Sequence, residues 1–371
     1  MSAVLRAALC GALLVMPAAA APPLPPGNDA RGFAQALEVR PLTFPQDHGP
    51  HRDFRQEWWY VSGNLAAADG ARFGFELTFF RMALQPPAAA AAGASAWRSS
   101  EIYMAHFAVT DVARRRFRFA QKLSRAALDL AGAQLLPLRV WIDDWSLTAN
   151  APASEWHVHA AEAGYQLDLQ LAPQTAPVLN GDAGLSRKSA EPGAASYYYS
   201  LPRLAAHGRL LRDGRALEVS GLAWLDREWG SGGLGGTQEG WDWFALQLDD
   251  GSALMFYALR DRGGTRDAYS AGTFVPRDGP VRPLASADVD IAVSDAWRNA
   301  NGARYPARWR VRVPALALDV DVQPLLADQE LATTPVYWEG AVAARGTRGG
   351  APVSGRGYVE LVGYARERRH P

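Results

Sequence analysis

A chain of 371 residues that is 48% hydrophobic and 20% charged has room for two ordinary globular domains and carries no compositional mark of long disorder. Its 38 basic and 38 acidic residues cancel, which removes general electrostatic support for a nucleic-acid or anionic-membrane partner. Lysine occurs only at Lys122 and Lys188; the remaining basic residues are arginines spread along the chain, a bias of genomic composition before function.

The first 20 residues have the pattern of a secretory signal: Arg6, an apolar run over 7–16, then Pro17, Ala18, Ala19 and Ala20 as small residues before a cut near Ala20. The single cysteine, Cys10, lies inside that run, so the processed chain is expected to hold no thiol, disulfide or cysteine nucleophile. No later stretch offers the roughly 18 to 20 apolar residues that a spanning helix needs. Export to a periplasm or beyond is the expectation, followed by a Pro- and Gly-rich leader over 21–43.

A first β-domain is expected over 44–229. Its opening stretch, with Trp58, Tyr60 and Leu65 before the turn at Asp69 and Gly70, resembles a later one with Trp241, Trp243 and Leu248 before Asp250 and Gly251. That alignment places Phe73 on Leu254 and Phe75 on Phe256. Period-two alternation marks strands at 102–110, 117–120, 138–147, 156–160 and 165–171. The Ala- and Pro-rich 85–95 reads as a loop, and 124–130 as one or two helical turns. The domain closes through Val219, Ser220, Gly221, Trp224 and Asp226, a spacing repeated by Val353, Ser354, Gly355, Tyr358 and Glu360. Two such matches indicate a duplicated β unit.

A Gly-rich junction at 230–240 leads to a second β-domain over 241–371, with strands at 241–248, 253–259, 288–293, 307–313 and 316–322. Antiparallel strands of this length and number close into barrels, and about eight strands enclose room for one small ligand. The fold class expected is all-β, with two lipocalin-like antiparallel barrels in tandem.

Several Trp-rich strings resemble the family of two-domain lipocalin-like proteins that includes carotenoid 1,2-hydratases and AttH-like exported proteins. They are Asp47-His48-Gly49-Pro50-His51 leading to Glu57-Trp58-Trp59-Tyr60, then Ala105-His106-Phe107, Tyr197 to Pro202, Asp226-Arg227-Glu228-Trp229-Gly230, Gly240 to Phe244, and Tyr337-Trp338-Glu339-Gly340. The resemblance covers about 44–364. It implies two packed barrels with a site for a hydrophobic ligand, hydration of a carbon–carbon double bond as an activity, and partnership with an envelope ABC transporter as an accessory role. Two positions depart from the hydratase pattern: Arg227 stands where a histidine is usual, and Leu259 where an acid is usual.

Hydrating an alkene requires a neutral carboxylic acid to protonate carbon, and a wall of aromatic faces to steady the cation. Asp226, Glu228, Glu239 and Asp242 are candidate acids, Tyr257 a catalytic candidate beside them, and Trp58, Tyr60, Trp229, Trp241, Trp243 and Arg227 candidate ligand contacts. Structural roles compete: the indoles at corresponding strand positions also suit core packing, and Glu57, Asp226 and Glu228 also suit pairing with Arg55 and Arg227.

Asp47, His48, His51 and Asp53 have metal-ligand types, yet no third histidine is fixed nearby and His157 and His159 point to opposite faces of one strand. No metal or other cofactor is expected. Gly230 to Gly235 fits G-x-G-x-x-G by letter but precedes a strand instead of a helix. No G-x-S-x-G or S-x-x-K supplies a hydrolase nucleophile. The leading reading is an exported protein holding an isoprenoid, carotenoid or acyl ligand at the domain junction; the competing readings are a hydro-lyase and a transporter accessory.

Overall fold

The computed structural model describes residues 27–87, 99–150, 153–162 and 164–365. The expected signal with Cys10, the start of the leader and most of the 85–95 loop therefore lie outside the described residues.

Strands dominate. The first unit contains β1 (Gln56–Ala67), β2 (Arg72–Ala83), β3 (Glu101–Asp111), β4 (Arg116–Arg125), β5 (Ala131–Gln134), β6 (Leu138–Ile142), β7 (Trp145–Ala149), β8 (Trp156–Glu162), β9 (Tyr165–Pro173), β10 (Val178–Leu179), β11 (Leu185–Arg187), β12 (Ala195–Arg212) and β13 (Arg215–Gly230). The second contains β14 (Gln238–Leu248), β15 (Ala253–Asp261), β16 (Ala271–Val275), β17 (Arg282–Ala285), β18 (Asp290–Arg298), β19 (Arg304–Val313), β20 (Leu318–Pro324), β21 (Glu330–Leu331), β22 (Tyr337–Arg348) and β23 (Ala351–Val362). Among the described residues helix is confined to three-residue 3-10 turns such as Gln46–His48.

Two expectations fail locally. The run 138–147 is two strands, because Asp143 adopts φ 53° and turns the chain between β6 and β7. Left-handed backbone of this kind is tolerated by aspartate in turns. The stretch 124–130 is no helix: β4 continues to Arg125, and Leu128 and Asp129 then turn at φ 53° and 57°.

The strands form two antiparallel sheets with one plan. The first runs β4-β3-β2-β1-β13-β12-β9-β8-β7-β6-β5 and the second β17-β16-β15-β14-β23-β22-β20-β19-β18, so the first nine positions correspond one to one. In each, the opening strand lies between its hairpin partner and the closing strand, with Leu65 opposite Gly221 and Leu248 opposite Gly355. Register equates Tyr60 with Trp243 and Asp226 with Glu360, since each pair sits directly across its ladder. It also corrects the hairpin alignment. Phe75 lies opposite Gly63, and Leu254 opposite the equivalent Leu246, so Phe75 matches Leu254 and not Phe256. The first hairpin stays paired to Ala66–Arg72, while the second stops at Gln247–Ala253.

Both sheets curl into near-barrels around separate cores. The first is filled by Trp59, Phe79, Tyr103, Trp145, Trp156 and Trp229, all fully buried, and β4 returns against β6. The second is filled by Phe244, Tyr305, Trp309 and Trp338. Where a barrel of this size was expected to hold a ligand, its interior is occupied by large side chains. Across the interface β1 packs on β23, β2 on β22 and β12 on β14, and the third core, with Tyr60, Tyr198, Trp224, Trp243, Tyr257 and Tyr358, is the seam between the units.

Candidate functional site

Side chains alternate along a strand, so β13 divides its own motif. Trp224 and Asp226 face the seam, together with Glu228; Leu225, Arg227 and Trp229 face the interior of the first barrel. The same rule splits β14: Trp241 and Trp243 face the seam, while Asp242 lies on the face of Phe244, Leu246 and Leu248. The sequence candidates thus fall into three places.

The seam holds Asp226, Glu228, Tyr257, Trp58, Tyr60, Trp241 and Trp243. Asp226 is 4% exposed, and three donors converge on its carboxyl: Ser200 at 2.5 Å and the Trp224 indole at 2.7 Å on Oδ1, and the Tyr198 hydroxyl at 2.6 Å on Oδ2. Trp243 donates to Tyr198 from the second unit at 3.2 Å. No lysine, arginine or histidine pairs with Asp226 among the described residues. Burial raises its pKa to about 7, against the lowering pull of the three hydrogen bonds. Glu228 differs: Lys188 pairs with it at 3.2 Å, and Ser196 donates to it. The Lys188 ammonium also lies 4.2 Å from the Tyr257 ring centroid and donates to Ser186 at 2.9 Å, whose hydroxyl meets that of Tyr257. Trp58 and Trp241 are half-buried at the rim.

Arg227 and Trp229 lie inside the first barrel, away from the seam. There Glu57, fully buried, receives Arg81, its direct cross-strand neighbour, and Arg227. The expected partner Arg55 takes no part in this group, and Asp226 faces away from Arg227. Burial would raise the Glu57 pKa, but the two guanidiniums hold it well below the carboxylate range. His51 stacks on Trp229 with ring centroids 3.7 Å apart and meets Asp47 at 2.9 Å, and His48 meets the Tyr199 hydroxyl at 2.6 Å. These contacts fasten residues 44–54 into the barrel mouth. Among the described residues no group of three or more His, Cys, Asp or Glu is arranged to hold a metal.

Asp242 is the third case. It pairs with Arg260 at 2.9 Å and accepts from Tyr364 at 3.0 Å, inside the second barrel. Glu239 is exposed. Neither joins Asp226.

Sequence reasoning passed over three seam carboxyls. Glu360 and Glu339 are across-ladder neighbours on β23 and β22, and Glu76 faces them from β2. Tyr60 donates to Glu339 at 2.7 Å, and Thr78 to Glu76 at 2.5 Å. Burial pushes Glu76 up to about 8, Glu360 up to about 7 and Glu339 well above the usual range. The repeat itself held the signal for Glu360, because Tyr358–Glu360 copies Trp224–Asp226. Two open depressions of about 430 Å³ each lie away from Asp226, one beside Arg52, Glu101 and Trp141, the other beside Phe274 and Arg348. Trp58, Trp241 and Leu234, partly buried, pack against the seam's core.

Two near-barrel antiparallel sheets joined along an acidic, indole-rich seam define a two-unit lipocalin-like protein. The AttH-like family model matches residues 35–364, and the chain belongs to the AttH-like family. The crystal structure of an AttH-assigned protein of Nitrosomonas europaea superposes with a TM-score of 0.79 at 36% identity, covering 90% of this chain and 100% of that one. Kievitone hydratase of Nectria haematococca shares the fold, with a TM-score of 0.67 at 16% identity over 86% of this chain and 92% of that one. The dehydratase asqC of Emericella nidulans is 24% identical over 244 residues, 58% of this chain. The matched stretch spans 63% of that curated relative's length. Among the described residues no helix is long and apolar enough to cross a membrane.

Proposed function

We propose that the chain is a hydro-lyase that adds water to, or removes it from, a hydrophobic substrate of isoprenoid or acyl type at the seam. One observation carries the reading: Asp226 is a buried carboxyl with no ionic partner among the described residues, its pKa raised to about 7, set among the rings of Tyr198, Trp224 and Trp243. A carboxyl kept neutral near pH 7 is a proton donor, and general acid assistance supplies on the order of 10² to 10⁴ in rate. Protonation of one alkene carbon leaves a cation on the other; ring quadrupoles at Trp243, Trp224 and Tyr257 stabilise it by about 2 kcal/mol each when dry. Water then adds to that carbon. A hydratase and a dehydratase among the relatives support this class of reaction.

The seam also suits a holder of a hydrophobic molecule, and the signal pattern of residues 1–20 supports export for either role. Purified protein incubated with squalene or lycopene separates them. A hydro-lyase yields product heavier by one water; a holder only quenches tryptophan fluorescence. Capture of an ABC transporter from envelope extracts, with neither effect, would favour the accessory role.

A further inference from the structure

Hydration consumes a proton at carbon and releases one from water, and a second carboxyl allows the two transfers to occur at different groups. We propose that Glu360 is the second acid–base group, the one that takes the proton from the attacking water and returns it to Asp226; this rests on the hydro-lyase reading.

Position comes first. Glu360 occupies in the second unit the ladder position that Asp226 occupies in the first: Asp226 lies opposite Tyr60 and Glu360 opposite Trp243, and those two rings meet at the centre of the seam. The duplication therefore brings the two carboxyls onto facing sheets. Unlike Glu228 and Asp242, Glu360 has no ion-pair partner among the described residues, and only these two seam acids of the closing strands are left unpaired in that way. As a residue Glu360 keeps intermediate exposure, whereas Asp226 is 4% exposed.

The groups facing Glu360 fix its proton affinity. Burial pushes it up to about 7; a hydrogen bond with Trp241 opposes this, and Glu228 and Asp226 on β13 add to it. Glu76 on β2 and Glu339 beside it on β22 are themselves raised, so they add little charge at neutral pH. Lys188 is held on Glu228. Asp226 and Glu360 are thus matched, and matched groups pass a proton in either direction with little uphill cost.

The step balances. The Asp226 O–H bond breaks as a C–H bond forms from the alkene π electrons. A water oxygen then forms the C–O bond, and its surplus proton goes to Glu360. Transfer from Glu360 to Asp226 restores both, leaving alkene plus water converted to alcohol.

Two readouts test this on the full chain with squalene as probe. In infrared titration of the carboxylic carbonyl band, wild type should show coupled steps near pH 7, and E360Q should move the Asp226 step to lower pH; D226N should do the same to Glu360. Turnover by E360Q should fall on the order of 10² to 10⁴. Unshifted Asp226 titration in E360Q overturns the pair, whatever the turnover. Coupled titration with no water added by wild type keeps the pair and sinks the hydro-lyase reading. Full turnover in E360Q removes Glu360 while leaving Asp226 in place.

Discussion

Tyr60 and Trp243, equivalent residues of the two units, meet edge to face across the seam with ring centroids 5.2 Å apart and planes at 76°. Each sits directly opposite an acid of its own closing strand, Asp226 and Glu360 respectively. The Tyr60 hydroxyl reaches over to Glu339 at 2.7 Å. Tyr60→Phe keeps the ring contact and strips Glu339 of that donor; because Glu339 Oε2 already lacks a partner, the loss leaves both oxygens unsatisfied. A destabilisation of about 1–3 kcal/mol is expected in urea unfolding. An unchanged midpoint would remove this contact from the seam's energetics.

Stability should fall as pH rises. Burial raises the folded pKa values of Asp226, Glu360 and Glu76 to about 7, 7 and 8, above the ordinary 3.8 of aspartate and 4.5 of glutamate. Between about pH 4.5 and 8 the folded chain therefore binds more protons than the unfolded one, and stability declines through that window. Glu57 and Asp47 act with the opposite sign, since their folded pKa values are depressed and their contribution disappears as pH drops below the unfolded value near 4. A melting-temperature maximum at mildly acidic pH is the expected result, and a flat profile from pH 5 to 8 would count against it.

Glu57→Ala should be more damaging than any seam substitution. It removes the carboxylate shared by the fully buried Arg81 and Arg227; Arg81 keeps Glu101 at 3.1 Å, while Arg227 is left with no ionic partner among the described residues. Losses of about 3–5 kcal/mol accompany such orphaned buried charges. Guanidinium unfolding of the variant measures it.

Gly74 marks how closely the units approach. A Cβ there would lie 2.4 Å from Ala341 Cβ and 2.9 Å from the Tyr358 hydroxyl, both on the second unit. Gly74→Ala should therefore pry the seam open, at about 1–3 kcal/mol of overpacking. The seam carboxyls would then meet water, so the variant should also lose part of the pH dependence described above.

Alternation made both hairpins and many of the other strands legible, because apolar and polar residues at period two survive wherever one face is buried; β12, β16, β17, β22 and the short β5, β10, β11 and β21 carry no such mark. The repeated Val-Ser-Gly spacing disclosed the closing strands and, through them, the plan of both sheets. What alternation could not decide was which face of β13 or β14 meets the partner unit. Trp224 and Trp229, or Asp226 and Arg227, look equally plausible as seam residues by composition, since the calyx and the seam are both lined by indoles and charges. Arg227 and Trp229 lie an odd number of residues from Asp226 on β13, and Asp242 one residue from Trp243 on β14, so each faces away from the seam despite its nearness in sequence. Lys188 and Tyr198 reach the seam from distant segments that carry no local signal.

The central claim is that Asp226 donates the proton. Asp226→Asn preserves the shape and the hydrogen-bonding position while removing the acid, so the direct measurement is the rate of water addition to squalene by wild type and by this variant, with binding followed by tryptophan quenching. The account predicts intact quenching and a rate lower on the order of 10² to 10⁴. Wild-type turnover in Asp226→Asn would contradict it.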